Sequence, residues 1–325
     1  MFGVPQGSIL GPLLFNIFIC DLFSVEFDFN DIEFASYADD TTPYVIGNDS
    51  KEVLTKLQNM SEKVFTWFDN NAMKANDDKC HLLLSDNEIL STQIGNSVIK
   101  SSTHRRLLGV IIDNKLKFDL HVSKLCAKAS QKLNALARMT SFMNFNKKKL
   151  LMNSFVISQF NYCPLVWMFH NRTLNNRINR IHEKALRIVY SDSSSSFADL
   201  LHKDSSVTIH QRNLQSLATE LYKIKNDMAP EIMQDIFPVY NPKYNLRNNR
   251  EFTGRNAKSV YYGTETLSFI GYKIWQQIPV RIKEMSSLQS FKYQIKKWVH
   301  QTAPADYVKN TSHKLVLYDS RMYSR

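Results

Sequence analysis

Apolar residues return every three or four positions along much of this chain, and short continuous or alternating apolar runs fill the gaps between those stretches. Val53, Leu57, Met60, Val64 and Phe68 predict one buried face of a helix. Asp49, with Glu52 three residues on, supplies the pairing of a capping box at its start. Gly11-Pro12 ahead of Leu13, Leu14, Ile17, Phe18 and Leu22 predicts an earlier helix with proline in its first turn. Between the two helices, Phe34–Ala38 and Thr41–Ile46 flank Asp39-Asp40 and predict strand, tight turn and strand. Cys80–Leu84 and Leu107–Ile112 predict two more short strands, the second ending at the Asp113-Asn114 turn. From His121 the helical spacing runs almost to residue 190, broken around Asn144–Asn146 and Asn161–Pro164. Ser191–Ser196 predicts a flexible linker. His210–Asn226 and Phe291–His300 predict further helices, with an Asn/Arg-rich loop at 241–258 and a poorly ordered tail at 301–325.

Composition narrows the class. Hydrophobic residues make up 43% of the 325 and charged residues 22%, a balance that excludes wholesale disorder and allows a real core. Lys+Arg outnumber Asp+Glu by 41 to 30, and the resulting +11 points to a polyanionic partner, nucleic acid or an acidic membrane surface. Cys20, Cys80, Cys126 and Cys163 stand far apart, without the pairing of a zinc site, and predict buried thiols in a reducing compartment. The opening Met1–Pro5 carries no basic leader, and the apolar run Ile9–Cys20 is too short to span a bilayer. The expectation is a soluble intracellular protein, in cytoplasm or nucleus, neither secreted nor membrane-bound.

Two short strings carry candidate chemistry. In Gly3-Val4-Pro5-Gln6-Gly7-Ser8-Ile9-Leu10-Gly11-Pro12, Pro5 and Gly7 predict a tight turn before a helix. There Gln6 offers an amide to a base edge or sugar, although a plain helix-entry loop has the same look. Tyr37-Ala38-Asp39-Asp40 places adjacent carboxylates at a hairpin tip, where they read either as oxygen ligands for Mg²⁺ or as a solvated turn. Farther on, Lys124, Lys128 and Lys132 recur opposite an apolar stripe. Arg177, Arg180, Lys184 and Arg187 do the same on a later helix. Such rows are either solvated faces or phosphate-binding ridges.

Taken together, GVPQGSILGPLLF and the YADDT that comes after it resemble the reverse transcriptases of non-LTR, LINE-like retrotransposons. Lys74–Cys80 is similar to that family's "LNxxKT" turn, with Ala and Asp where the pattern is usually different. Leu107–Asp113, with Phe118 and His121, is similar to its "YLGVxLD…F..H" segment. The resemblance covers most of residues 1–300. It implies catalytic and metal-binding roles for Asp39 and Asp40, with Mg²⁺ as cofactor. Tyr37 is implied near the primer end, Gln6 and Gly7 in the template and nucleotide pocket, and Lys79 near the departing pyrophosphate. It further implies that Leu108–Asp113 forms a hairpin gripping the primer, and that the cation rows hold nucleic-acid backbone. RNA template, DNA primer and deoxynucleotides are the implied partners.

The expected fold is α+β: a partial polymerase palm over 1–115, a helical thumb over 116–190, a helical region over 191–300 and the tail. In the family, the first metal-binding aspartate lies on a strand before the GVPQGS loop, at which this chain begins, and the fingers precede it too. Asp21 matches a helix-end position and is expected to be a cap or surface residue. The expectation is therefore a reverse transcriptase fragment that does not polymerise alone. A non-catalytic nucleic-acid-binding relic is the alternative, and a structural remnant the third.

Overall fold

A proline that lacks an N–H is tolerated in the first helical turn because no bond is needed there, and Pro12 takes that place. The computed structural model of the chain describes residues 7–25, 32–76, 79–86, 88–95, 97–240, 251–252 and 266–302. Gln6, Asp77-Asp78, most of the predicted 241–258 loop and the tail beyond 302 lie outside the described residues. The chain divides into two compact units, Met1–Leu116 and Lys117–Arg325.

In the first unit, α1 (Gly11–Ile19) starts where Ser8 Oγ accepts the Gly11 N–H at 3.0 Å, and it runs into a 3-10 turn, Cys20–Ser24. Ile19 and Leu22 are buried, whereas Leu13, Leu14, Ile17 and Phe18 stay exposed. β1 (Ile32–Tyr37) and β2 (Asp40–Val45) pair antiparallel, from Ile32 opposite Val45 to Tyr37 opposite Asp40. Then comes α2 (Ser50–Asn70), capped by the Asp49 carboxylate, which accepts the Glu52 N–H at 2.8 Å. The predicted box closes one residue farther back: Glu52 accepts from the Asn48 N–H at 2.9 Å. Leu57, Met60 and Val64 are buried as their spacing predicts, joined by Trp67, while Val53 and Phe68 are half-buried.

Only Leu82–Leu83 of the predicted Cys80–Leu84 strand pairs, as β3. It lies parallel to β5 (Ser97–Ser102), which also pairs antiparallel with β4 (Ser91–Ile94). The expected single strand Leu107–Ile112 is instead the bend of a hairpin between β6 (His104–Leu107) and β7 (Val110–Asp113). Leu108 and Gly109, at φ 44° and 86°, form a two-residue turn whose positive φ values suit the right-handed twist of the paired strands. The apolar run conceals that turn because leucine carries no turn signature.

The second unit is helical. α3 (Asp119–Met139) is followed by α4 (Phe145–Leu151), a π-helical turn at Met152–Val156, a 3-10 turn at Ile157–Phe160, and α5 (Pro164–Trp167). The breaks fall where the sequence puts them. Asn144 caps α4 by accepting the Lys147 N–H at 3.0 Å, and Cys163 turns left-handed before Pro164. Next come α6 (Arg172–Tyr190), α7 (Phe197–Asp204), α8 (Ile209–Lys225) and α9 (Ile232–Ile236). β8 (Val239–Tyr240) pairs with β9 (Glu251–Phe252), and α10 (Leu267–Gln277), α11 (Val280–Lys283) and α12 (Leu288–Thr302) complete the unit.

Val122, Cys126, Ala129, Leu133 and Leu136 of α3 share a core with Ile178, Ile181, Ala185, Leu186 and Val189 of α6. A neighbouring core gathers α8, α10 and α12, where Tyr222 stacks on Phe291 at 4.2 Å between centroids. The Ser191–Ser196 run is tied rather than loose. Asp192 accepts the Ser194 and Ser195 N–H groups at 3.1 and 3.0 Å, and these bonds hold its carboxyl below the usual range. Of the four thiols expected to be buried, only Cys126 is, and burial pushes it up to about 11; Cys20 is exposed, Cys80 and Cys163 half-buried. Among the described residues no helix is long and apolar enough to cross a membrane.

Burial lowers three imidazoles in this unit, His170, His182 and His210, taking His182 to about 4 and His210 to about 3 from 6.5. An unfolded histidine takes up its proton near 6.5, so the neutral folded form is fully favoured above that pH and loses ground as pH falls toward the folded values. Going from pH 7.5 to 5 should cost roughly 2 kcal/mol for each deeply buried ring. Thermal melts across that range should show a steep fall in Tm, made shallower by His182→Gln.

Candidate active site

A two-residue link between antiparallel strands needs a twist that most L-residues resist. The link here is Ala38-Asp39, one residue earlier than the predicted Asp39-Asp40, because Tyr37 pairs with Asp40 and makes Asp40 the first residue of β2. Ala38 takes φ 53°, a left-handed conformation that costs a side-chain-bearing residue about 1–2 kcal/mol. The base of the hairpin is anchored well enough to offset that. Phe34 meets Phe23 edge-on at 6.3 Å, and Ile32 and Val45 pack against the unit's core. The tip then stands clear: Tyr37 is 68% exposed, and Asp39 and Asp40 are exposed beside it.

Two adjacent carboxylates open to solvent are hard oxygen donors. They fit Mg²⁺, an ion that keeps several waters and takes one or two protein carboxylates along with substrate phosphates. Both come from the same turn, and among the described residues no group of three or more His, Cys, Asp or Glu side chains gathers as a metal site.

The other candidate residues are spread along the chain. Gly7 precedes α1 at φ 88° with open space where a Cβ would be, a conformation that favours glycine. Gln6 lies outside the described residues. Lys79 is exposed on a short turn, its N–H donating to the Asn76 carbonyl at 3.0 Å. Asp21 accepts from Trp67 Nε1 at 3.4 Å, tying the 3-10 turn to α2, a tether in keeping with a surface residue. Leu108 sits exposed at the tip of the β6–β7 hairpin.

The cation rows separate into two kinds of residue. Lys124 and Lys128 on α3 and Arg177, Arg180 and Lys184 on α6 are exposed; Lys132 is half-buried. Arg187 is engaged with the fold. Its guanidinium pairs with Glu183 at 2.7 Å and donates to the Ser195 carbonyl at 2.8 Å, bracing the loop after α6. Sequence spacing could not tell Arg187 from its neighbours on the ridge, although Glu183 at i−4 was a signal of its pairing. Lys147, exposed beside the α4 cap, escaped notice because it belongs to no periodic row.

Residues 1–112 match the reverse transcriptase (RNA-dependent DNA polymerase) family. Over 214 residues the chain is 25% identical to a probable RNA-directed DNA polymerase from transposon BS of Drosophila melanogaster, covering 62% of this chain and 24% of that one. Over 130 residues it is 29% identical to the RNA-directed DNA polymerase from mobile element jockey of the same fly, covering 38% and 14%. It is 25% identical over 177 residues to a Pol polyprotein from type-1 retrotransposable element R1 2 of Nasonia vitripennis, covering 51% and 43%. The chain thus spans less than half the length of each of these relatives. No solved structure matches it. The chain carries a reverse transcriptase segment. That segment is of the retrotransposon, LINE-like kind, as the GVPQGSILGPLLF and YADDT strings imply.

Arg187→Ala should lower unfolding stability by about 1–3 kcal/mol, the worth of charged hydrogen bonds left unmade. Arg180→Ala should change it by less than about 0.5 kcal/mol. Urea unfolding of both variants checks the difference.

Proposed function

We propose that the chain supplies the Asp39–Asp40 side of the polymerising site of a retrotransposon reverse transcriptase, together with a helical thumb that holds nucleic acid. The observation that carries this reading is the exposed carboxylate pair on an anchored hairpin, inside the stretch that matches the family. In this reading residues 1–115 are palm, 116–190 thumb, and 191–300 a further helical region. RNA template, DNA primer and deoxynucleotides are the partners.

Asp39 and Asp40 would hold Mg²⁺, which supplies charge stabilisation at phosphoryl oxygens when bound. Tyr37, exposed next to them, is suited to rest against the primer end. Gly7 is assigned to the template and nucleotide pocket, where the neighbouring Gln6 would offer its amide, and Lys79 offers an ammonium to departing pyrophosphate. The hairpin containing Leu108–Asp113 grips the primer. Lys124, Lys128 and Lys132 on α3 and Arg177, Arg180 and Lys184 on α6 hold backbone phosphates, while Arg187, in line with the α6 cations, braces the loop after that helix.

In-line displacement needs ligands that converge from more than one element, within a fraction of an ångström. Both carboxylates here belong to one turn. These 325 residues are therefore proposed not to extend a primer unaided. The exposed cation rows also favour a second reading, nucleic-acid binding without catalysis.

One set of assays puts both readings at risk. Purified chain should bind an RNA–DNA primer–template, with log Kd rising against log salt at a slope of about 5 for six neutralised phosphates. It should yield no extended primer with Mg²⁺ and deoxynucleotides. Extension abolished by Asp39→Asn would overturn the insufficiency and leave the polymerase reading standing. Absence of binding at low salt would sink both readings.

A further inference from the structure

Between Asp119 and Glu183 the sequence holds ten lysines and arginines and neither aspartate nor glutamate, in a chain whose whole net charge is +11. Nearly all of the positive excess is therefore concentrated from the start of α3 to the middle of α6. No carboxylate within that stretch competes with an anion. Charge of this kind favours a phosphate backbone over a peptide surface of mixed sign.

An aromatic side chain is presented within this stretch. The π-helical turn Met152–Val156 holds Met152 and Val156 in the core at 1% and 0% exposure. The residues between them, Asn153, Ser154 and Phe155, are turned outward, and Phe155 is 51% exposed. A π-turn inserts one residue into a helix, is rare, and often marks a functional position. Lys132 Nζ lies 5.9 Å from the centre of the Phe155 ring. That lysine ends the ridge of Lys124, Lys128 and Lys132, whose members succeed one another by about 6 Å along α3. A row of ammonium groups thus leads to a half-open aromatic ring that already carries a cation over one face. Non-sequence-specific single-strand binding uses this pairing, phosphates on cations and a base on a ring.

We propose that Phe155 stacks an unpaired base of a single-stranded segment whose phosphates track Lys124, Lys128 and Lys132. The proposal rests on the reading of these helices as a nucleic-acid-binding thumb and adds the strand state and the contact. Phe155 is the ring that separates single strand from duplex. The lysines serve both.

The test uses the full chain, a labelled single strand of about 12 nucleotides and a duplex of equal length, titrated by fluorescence anisotropy. Phe155→Ala should weaken single-strand binding by about 5- to 150-fold, the range for losing one base stack, with duplex affinity and salt slope unchanged. Phe155→Trp should keep or tighten single-strand binding, and Lys128→Ala should lower the salt slope by about 1 on both ligands. Melting temperatures near wild type will show that the variants fold. Equal affinity of Phe155→Ala and wild type for the single strand overturns the proposal, as does an equal loss on both ligands. A dimer that Phe155→Ala converts to monomer by light scattering, with oligonucleotide binding unchanged, overturns it too and assigns the ring to self-association. Failure of wild type to bind either ligand removes the thumb reading itself, and the stacking proposal with it.

Discussion

The packing of α3 on α6 settles which side chains the second unit can show to solvent. Cys126, Ala129 and Ala185 are small, so the two backbones can approach closely while Leu133, Leu136, Ile178 and Ile181 fill the space on either side. A helix with apolar residues at alternating steps of three and four buries one face only. Once that face is committed, Lys124 and Lys128 have to face outward from α3, and Arg177, Arg180 and Lys184 from α6. The charge distribution is thus a by-product of the hydrophobic seam, and losing Leu186 or Leu133 to alanine would cost about 2–5 kcal/mol of the packing that maintains it.

The first unit relies on a different device. Its carboxylates are presented by a hairpin whose tip is conformationally costly at Ala38 and whose base is held by Phe34, Ile32 and Val45. An isolated two-stranded ribbon is only marginally stable in water, so the anchoring of the base is what keeps the tip in position. The adjoining helix α2 supplies Trp67 and Phe68, and Trp67 reaches Asp21 to hold the chain that leads from α1. Position at the turn is therefore inherited from packing several residues away.

Much of this was legible in the sequence, and the exceptions have physical causes. Long amphipathic helices such as α2, α3, α6 and α8 announce themselves because tertiary burial selects a period near 3.6. The Gly11-Pro12 start and the Asn144 and Pro164 breaks were readable because each residue has one strong local preference. β4 and β5 were not readable: Ser91–Ile94 and Ser97–Ser102 are polar enough to pass for loop, and their pairing is set by partners rather than by their own propensity. Leu108 was misleading for the opposite reason, since a leucine forced into a left-handed turn breaks its own preference. Ser191–Ser196 looked loose by composition, yet one aspartate, Asp192, organises it through bonds that composition does not reveal. At the candidate site, the identity of Asp39 and Asp40 was plain, whereas the distinction between the exposed Arg180 and the engaged Arg187 needed coordinates.

The extra residue in the Met152–Val156 turn has a consequence for how this stretch can change over generations. Each residue removed from a regular helix rotates the remainder of that helix by about 100°. A π-turn takes up its additional residue locally, so a deletion there would restore ordinary winding and leave Ile157 and Phe160 close to the interior they now fill. This is the place where the helical run can shorten by one position at least cost to its core. What such a loss would remove is the outward bulge itself.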